Sequence, residues 1–262
     1  PQVRLERWER CDGCPWQDAC PYAVLFEPVA AGGPGRDDAA RRPVVVAPGP
    51  SPAPVAAAGM RIPLRVVVAG YGAEAHVLDL LRTLEQLGIS RGLGADGIRF
   101  ELEPMGDPTR LEISGDMFPA FPVEGEAVIP RLELELTSPL FLREAMGKSL
   151  LRAPALSDLV RASIRLVGDL MHQLAGEGVD ADTRALEDAA EQVATAETRW
   201  DWFRQPHLST RGRTRYPLEG AVGGAVFRDV PASLVPWITW GGMLHVGSHR
   251  VAGAGGWRTI LG

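Results

Sequence analysis

The stretch Trp240-Gly241-Gly242-Met243-Leu244-His245-Val246-Gly247-Ser248-His249-Arg250-Val251-Ala252-Gly253-Ala254-Gly255-Gly256-Trp257-Arg258-Thr259-Ile260 sets six glycines around His245, His249 and Arg250. Glycine at this density lets backbone N–H groups approach a phosphate, with arginine and histidine supplying charge-assisted bonds. A plain hairpin turn is the competing reading. A dinucleotide fingerprint is excluded, because neither a helix pattern nor a ribose-binding acid follows the Gly253-Ala254-Gly255-Gly256 run. Met243 to Val246 alternates as a strand would, which turns the side chain of His245 either toward a cleft, as a candidate catalytic group, or into the strand end as a structural one.

Working outward, the 262 residues carry 27 Lys and Arg against 33 Asp and Glu, a net charge of −6, with 45% hydrophobic residues. These values exclude a disordered chain, a disulfide-built miniprotein and a uniformly basic nucleic-acid coat. The charge is uneven. From Arg199 to Gly262 eight arginines face three acids, a local +5, which leaves −11 over residues 1–198. One-sided cation excess is a footprint of polyanion binding, and arginine suits bidentate phosphate contact. Arg211, Arg213 and Arg215 alternate, so on a strand all three point to one face. Trp200, Trp202 and Phe203 beside His207 suit either base stacking or packing.

The pattern predicts an α+β chain. Residues 30–60 are rich in Pro, Ala and Gly and read as a surface insertion. Leu64 to Ala69 reads as a strand and Ala73 to Leu87 as a helix ended by Gly88. Ile98 to Pro104 and Leu111 to Ile113 read as further strands. A second unit opens with alternating Leu132, Leu134 and Leu136, followed by the short apolar run Leu140 to Leu142. Helices are expected over Ala155 to Gly176 and Thr183 to Glu197. Strand-and-turn composition then fills the rest: Gly220 to Arg228, a short segment Val230 to Trp240, Met243 to Val246, and Trp257 to Leu261. Residues 1–130 and 131–262 thus divide into two successive α+β domains. No apolar run reaches the length of a membrane span and no signal-peptide core opens the chain, so a soluble cytoplasmic protein with no membrane partner is expected. The sequence opens at Pro1 without an initiator Met, and an incomplete N-terminus is expected.

Cys11, Cys14 and Cys20 form a C-x2-C-x5-C group, for which reduced thiols and a structural zinc site are the two readings. Zinc would need a fourth ligand from elsewhere. His76 and His172 fall in acidic, leucine-rich helical patterns and read as surface residues.

In their order along the chain, several motifs resemble the CRISPR repeat-processing endoribonucleases of the RAMP superfamily. They are CPYAVLFEP at Cys20 to Pro28, GISRGLGADGIRFELEPM at Gly88 to Met105, LELELTSPLFL at Leu132 to Leu142, RGRTRYPLEGAVGGAVF at Arg211 to Phe227, and the closing glycine-rich segment. The resemblance implies tandem ferredoxin-like (RRM-like) folds, the first lacking its opening strand and helix. It implies CRISPR repeat RNA or crRNA as partner, and other CRISPR effector subunits as further partners. The implied reaction is cleavage within repeats without a cofactor, by 2′-hydroxyl attack that leaves a 2′,3′-cyclic phosphate. Such chemistry needs an acid or base near neutrality and a cation at the developing phosphorane.

The implied RNA contacts are Arg211, Arg213, Arg215, Gly247, His249, Arg250, Gly253, Gly255 and Gly256, with His245 as candidate catalytic residue. Two departures stand out. The family's histidine often lies near the first helix of the opening fold, upstream of the CPY segment, and Ser248 stands where lysine is frequent. The rival reading is a non-catalytic crRNA-binding RAMP subunit. A metabolic α/β enzyme is the weaker third, because no phosphate loop or paired-carboxylate motif is present.

Overall fold

Three consecutive valines, Val44 to Val46, begin the first strand among the described residues, in a stretch whose Pro, Ala and Gly content suggested an insertion. The structure, a computed structural model, describes residues 11, 14–28, 41–49, 58–93, 97–103, 127–144, 149–176, 178–208 and 215–262. β1 (Val44–Pro48) pairs with β2 (Leu64–Val68). Backbone bonds from Gly49 to Pro63 and from Ala69 to Pro43 make the pair antiparallel. Val44, Val45 and Ala47 are buried, so β-branched propensity and a partner strand override the composition of the surrounding segment.

The contacts divide the chain into two compact units. One comprises Pro1–Val44, Val68–Met117 and Gln173–Ala175, and the other Val45–Val67, Phe118–His172 and Gly176–Gly262. In the first, α1 (Pro21–Phe26) starts on a proline, whose fixed φ suits the first helical turn, and buries Ala23 and Leu25. A short α2 (Tyr71–Glu74) leads to α3 (Val77–Ser90). Its stripe of Val77, Leu80, Leu81, Leu84 and Leu87 is buried or half-buried, as the helical spacing predicted.

Gly88 does not end that helix, which runs to Ser90. A Cβ at Gly88 would lie 2.3 Å from the carbonyl oxygen of Phe100, so the glycine marks a close crossing of two chain segments. Nor do residues 98–103 form a strand. Ile98 makes one isolated bridge, with Leu93, and no ladder follows among the described residues. The expected strand at Leu111 to Ile113 lies outside the described residues.

The second unit is built on β3 (Val128–Leu136), α4 (Leu156–Ala175), α5 (Thr183–Glu191), β4 (Ala194–Leu208), β5 (Arg215–Pro231), α6 (Val235–Leu244) and β6 (Trp257–Leu261). β3, β4, β5 and β6 form one sheet in the order β4-β5-β3-β6, every neighbouring pair antiparallel. The connections are those of two interlocked split β-α-β units. Leu132 lies opposite Phe227 and Leu134 opposite Ala225, all of them buried. α4 buries Leu156, Leu159, Val160, Ile164, Leu166, Val167 and Leu170, and each large side chain among them contributes about 1.5–3 kcal/mol. The Asp158 carboxylate accepts from the Ala155 N–H at the start of α4, and left-handed Gly176 closes its end.

Two expectations for this half are corrected. The helix from Thr183 stops at Glu191, and Ala194 onward is β4, whose Thr195, Thr198, Trp200, Trp202 and Phe203 fit a ladder with β5 better than a helix. Val235 to Leu244 is a helix rather than strand and turn. It is apolar all round and buries Val235, Trp237, Ile238, Gly241 and Gly242, so no 3.6-residue stripe betrays it. Among the described residues, no helix is long and apolar enough to cross a membrane.

Candidate nucleic-acid interface

The glycine-rich loop begins where α6 ends. His245 turns the chain with a positive φ of 58°, and His249 does so again at 61°. The loop is stitched to the segment after β3. Ser248 N–H donates to the Phe141 carbonyl (3.0 Å), Gly255 N–H to Pro139 (2.9 Å) and Gly256 N–H to the Ser138 hydroxyl (3.0 Å). A Cβ on Gly255, whose φ is +78°, would meet the Val246 oxygen at 1.9 Å. One on Gly256 would meet the His245 ring at 2.5 Å. Gly253, Gly255 and Gly256 are buried, so these glycines serve close packing beneath the loop. The exposed rim is Gly247, Ser248 and His249, with the His249 ring edge-on to Phe141 at 5.4 Å.

His245 lies at the C-terminal cap of α6, not on a strand, and is 1% exposed. Its Nδ1 lies 3.1 Å from the Ala254 carbonyl and its Nε2 3.1 Å from Nη2 of Arg65. A guanidinium only donates, so Nε2 must accept and the ring proton sits on Nδ1, bonded to Ala254. Burial pushes the imidazole pKa down to about 4; the bond to Ala254 opposes that shift, and the charges of Arg65 and Arg250 reinforce it. The ring is therefore neutral at pH 7, with both nitrogens engaged. Arg250, expected among the RNA contacts, is 8% exposed, and its Nε donates to the carbonyls of Leu244 (3.2 Å) and His245 (3.3 Å) at the end of α6.

Of the remaining candidates, Arg211 and Arg213 lie outside the described residues. Arg215 opens β5 opposite Leu208 in the long β4-β5 hairpin. Arg152, which precedes α4, stacks over the ring of Trp202 in β4 at 4.4 Å. On the outer sheet face, Arg131 and Arg199 both pair with Glu133, while Arg258 pairs with Glu135. His76 sits 3.6 Å from Asp79, and His172 is exposed. Burial and the nearby Glu27 raise the Cys11 thiol pKa. Among the described residues, no group of three His, Cys, Asp or Glu is arranged to hold a metal ion. Arg65 is the participant that sequence reasoning missed. It is the one charge in the apolar run of β2, and its partner His245 lies 180 positions away.

A family model described as the AF_1859_N N-terminal domain matches residues 3–113. No curated protein matches the sequence significantly. Among solved structures, the product complex of Cas6 (TTHB231) from Thermus thermophilus is similar at a TM-score of 0.55 and 18% identity, covering 84% of this chain and 83% of that one. The Cas6 (TTHA0078) product complex is similar at a TM-score of 0.51 and 18% identity, covering 93% and 91%. The chain thus has a Cas6-like α+β fold.

Proposed function

We propose that this chain binds CRISPR repeat RNA and cleaves it within the repeat. The observation that carries the proposal is the fold shared with two Cas6 product complexes over more than four-fifths of the chain. In support, the β-α-β-β-α-β order of the second half suits a ferredoxin-like domain over residues 131–262, with residues 1–130 assigned to the first of the tandem pair. RNA contacts are assigned to the exposed rim, Gly247 and His249, and to Arg211, Arg213 and Arg215. Arg250, Gly253, Gly255 and Gly256 hold that rim from beneath. In the reaction the RNA 2′-oxygen bonds to the adjacent phosphorus, the bond to the 5′-oxygen breaks, and the 2′-hydroxyl proton passes to a base while the leaving oxygen gains one. No metal is needed for this transfer.

His245 is not assigned the base role, because a buried, doubly bonded, neutral imidazole does not reach a substrate. That same burial favours a second reading, a crRNA-binding subunit of a CRISPR effector complex that does not cut. Incubation with end-labelled repeat RNA in EDTA separates the two. Product ending in a 2′,3′-cyclic phosphate supports the nuclease, tight binding without product supports the subunit, and failure to bind rejects both.

A further inference from the structure

We propose that Arg65 is a phosphate-contacting residue of the RNA site and that His245 positions it, an inference that rests on the RNA-binding reading above. Arg65 is exposed on β2, and its guanidinium is tethered through Nη2 to Nε2 of His245, the residue that opens the glycine-rich loop. The tether is a neutral acceptor, fixed in turn by the Ala254 carbonyl. Arg65 is oriented without its charge being cancelled, and among the described residues no carboxylate pairs with it. The arrangement on the sheet face is the opposite: Arg131, Arg199 and Arg258 each sit on a glutamate. A guanidinium that has given one donor to an imidazole keeps the rest of its planar fork for an anion. Holding that fork in advance lowers the ordering cost of binding.

The ligand chemistry is a backbone phosphodiester of RNA. The exposed rim at Gly247 to His249 begins two residues after His245, so an RNA strand lying on the rim passes the place where Arg65 is anchored. His245 then acts through Arg65 rather than on the substrate, which gives a role to a buried polar residue that the cleavage step does not use.

The test is Arg65→Ala, with the affinity for labelled repeat RNA measured across a series of salt concentrations. Removing one phosphate contact should weaken binding about tenfold. It should also flatten the slope of log affinity against log salt by about 0.7–0.9. Arg65→Lys, which keeps the charge, should retain the slope. An Arg65→Ala protein with wild-type affinity and slope overturns the proposal while leaving RNA binding intact; a wild-type protein that binds no repeat RNA overturns the underlying reading and this one together. The positioning role has its own readout, the 15N resonances of the His245 ring. Loss of Arg65 should shift Nε2 as its donor disappears, and an unmoved resonance would overturn that part.

Discussion

On the outer face of the four-stranded sheet, Arg131 and Arg199 share Glu133 and Arg258 holds Glu135, whereas at the glycine-rich loop Arg65 rests on an uncharged imidazole. Both regions present arginine, but only the second presents an oriented cation that its own protein has not neutralised. The contrast shows why charge counted along a sequence window differs from charge offered to a ligand. Two of the eight arginines behind the local +5, Arg199 and Arg258, are answered by glutamates from outside the window. Arg204 is answered by Glu219 within it, and Arg250 is buried as a helix cap. Arg65, proposed to meet an RNA phosphate, comes from the part of the chain that counted −11.

The sharpest way to break the contrast is to spoil the loop and spare the sheet. Gly255→Ala adds a Cβ 1.9 Å from the Val246 oxygen at a positive φ, and should cost about 3 kcal/mol through clash and strain, together with RNA binding. Thermal unfolding and RNA titration would check it, and a stable, binding variant would show that the loop is not needed as drawn.

A smaller effect concerns the imidazole itself. Its pKa is about 4 in the folded protein against 6.5 when unconstrained, so the unfolded chain binds more protons between those values. The stabilisation is complete above pH 6.5 and should fall away as the pH drops toward 4, by about 3 kcal/mol. Charging the ring would set it against Arg65 and Arg250 and break the acceptor bond to Arg65. Denaturant melts between pH 7 and 4 should show a stability loss that is absent in His245→Gln; equal losses in the two proteins would assign it to other groups. The smallest effect belongs to the sheet. Arg258→Gln should move the thermal midpoint by no more than about 2–4 °C, because exposed ion pairs contribute little, and the salt slope of RNA binding should stay at its wild-type value. A flattened slope there would make the sheet face part of the RNA site and dissolve the contrast.

What could be read in advance follows from where each element finds its partners. α4 was legible to within a residue at each end, because its apolar stripe, an acid at the third position and a closing glycine agree. β6 was legible from Trp257 to Leu261 for its bounded β-rich run. α6 was not, because a helix buried on every side has no amphipathic signature, and its misreading carried His245 onto a strand that does not exist. The first four residues of β4, Ala194 to Glu197, read as the end of the helix from Thr183, since propensity there is ambiguous and the long ladder to β5 decides it. At the site, the glycines were read as ligand-facing when three of them face the interior. The join between Arg65 and His245 left no local trace, because it is made by tertiary packing alone.

The placement of β6 has a consequence for how the protein comes to be. The β4-β5 hairpin closes locally, but Leu132 pairs with Leu261, roughly 130 positions away, so the sheet's last ladder closes the largest loop and forms late on topological grounds. During synthesis, β3 must wait with its β6 edge unpaired until β6 emerges. The glycine-rich loop lies between α6 and β6, and Trp257 of β6 bonds back to Ile238 of α6. The proposed RNA site is therefore among the last parts to take shape, and a chain that has not docked β6 presents a nearly complete sheet with no receptor on it.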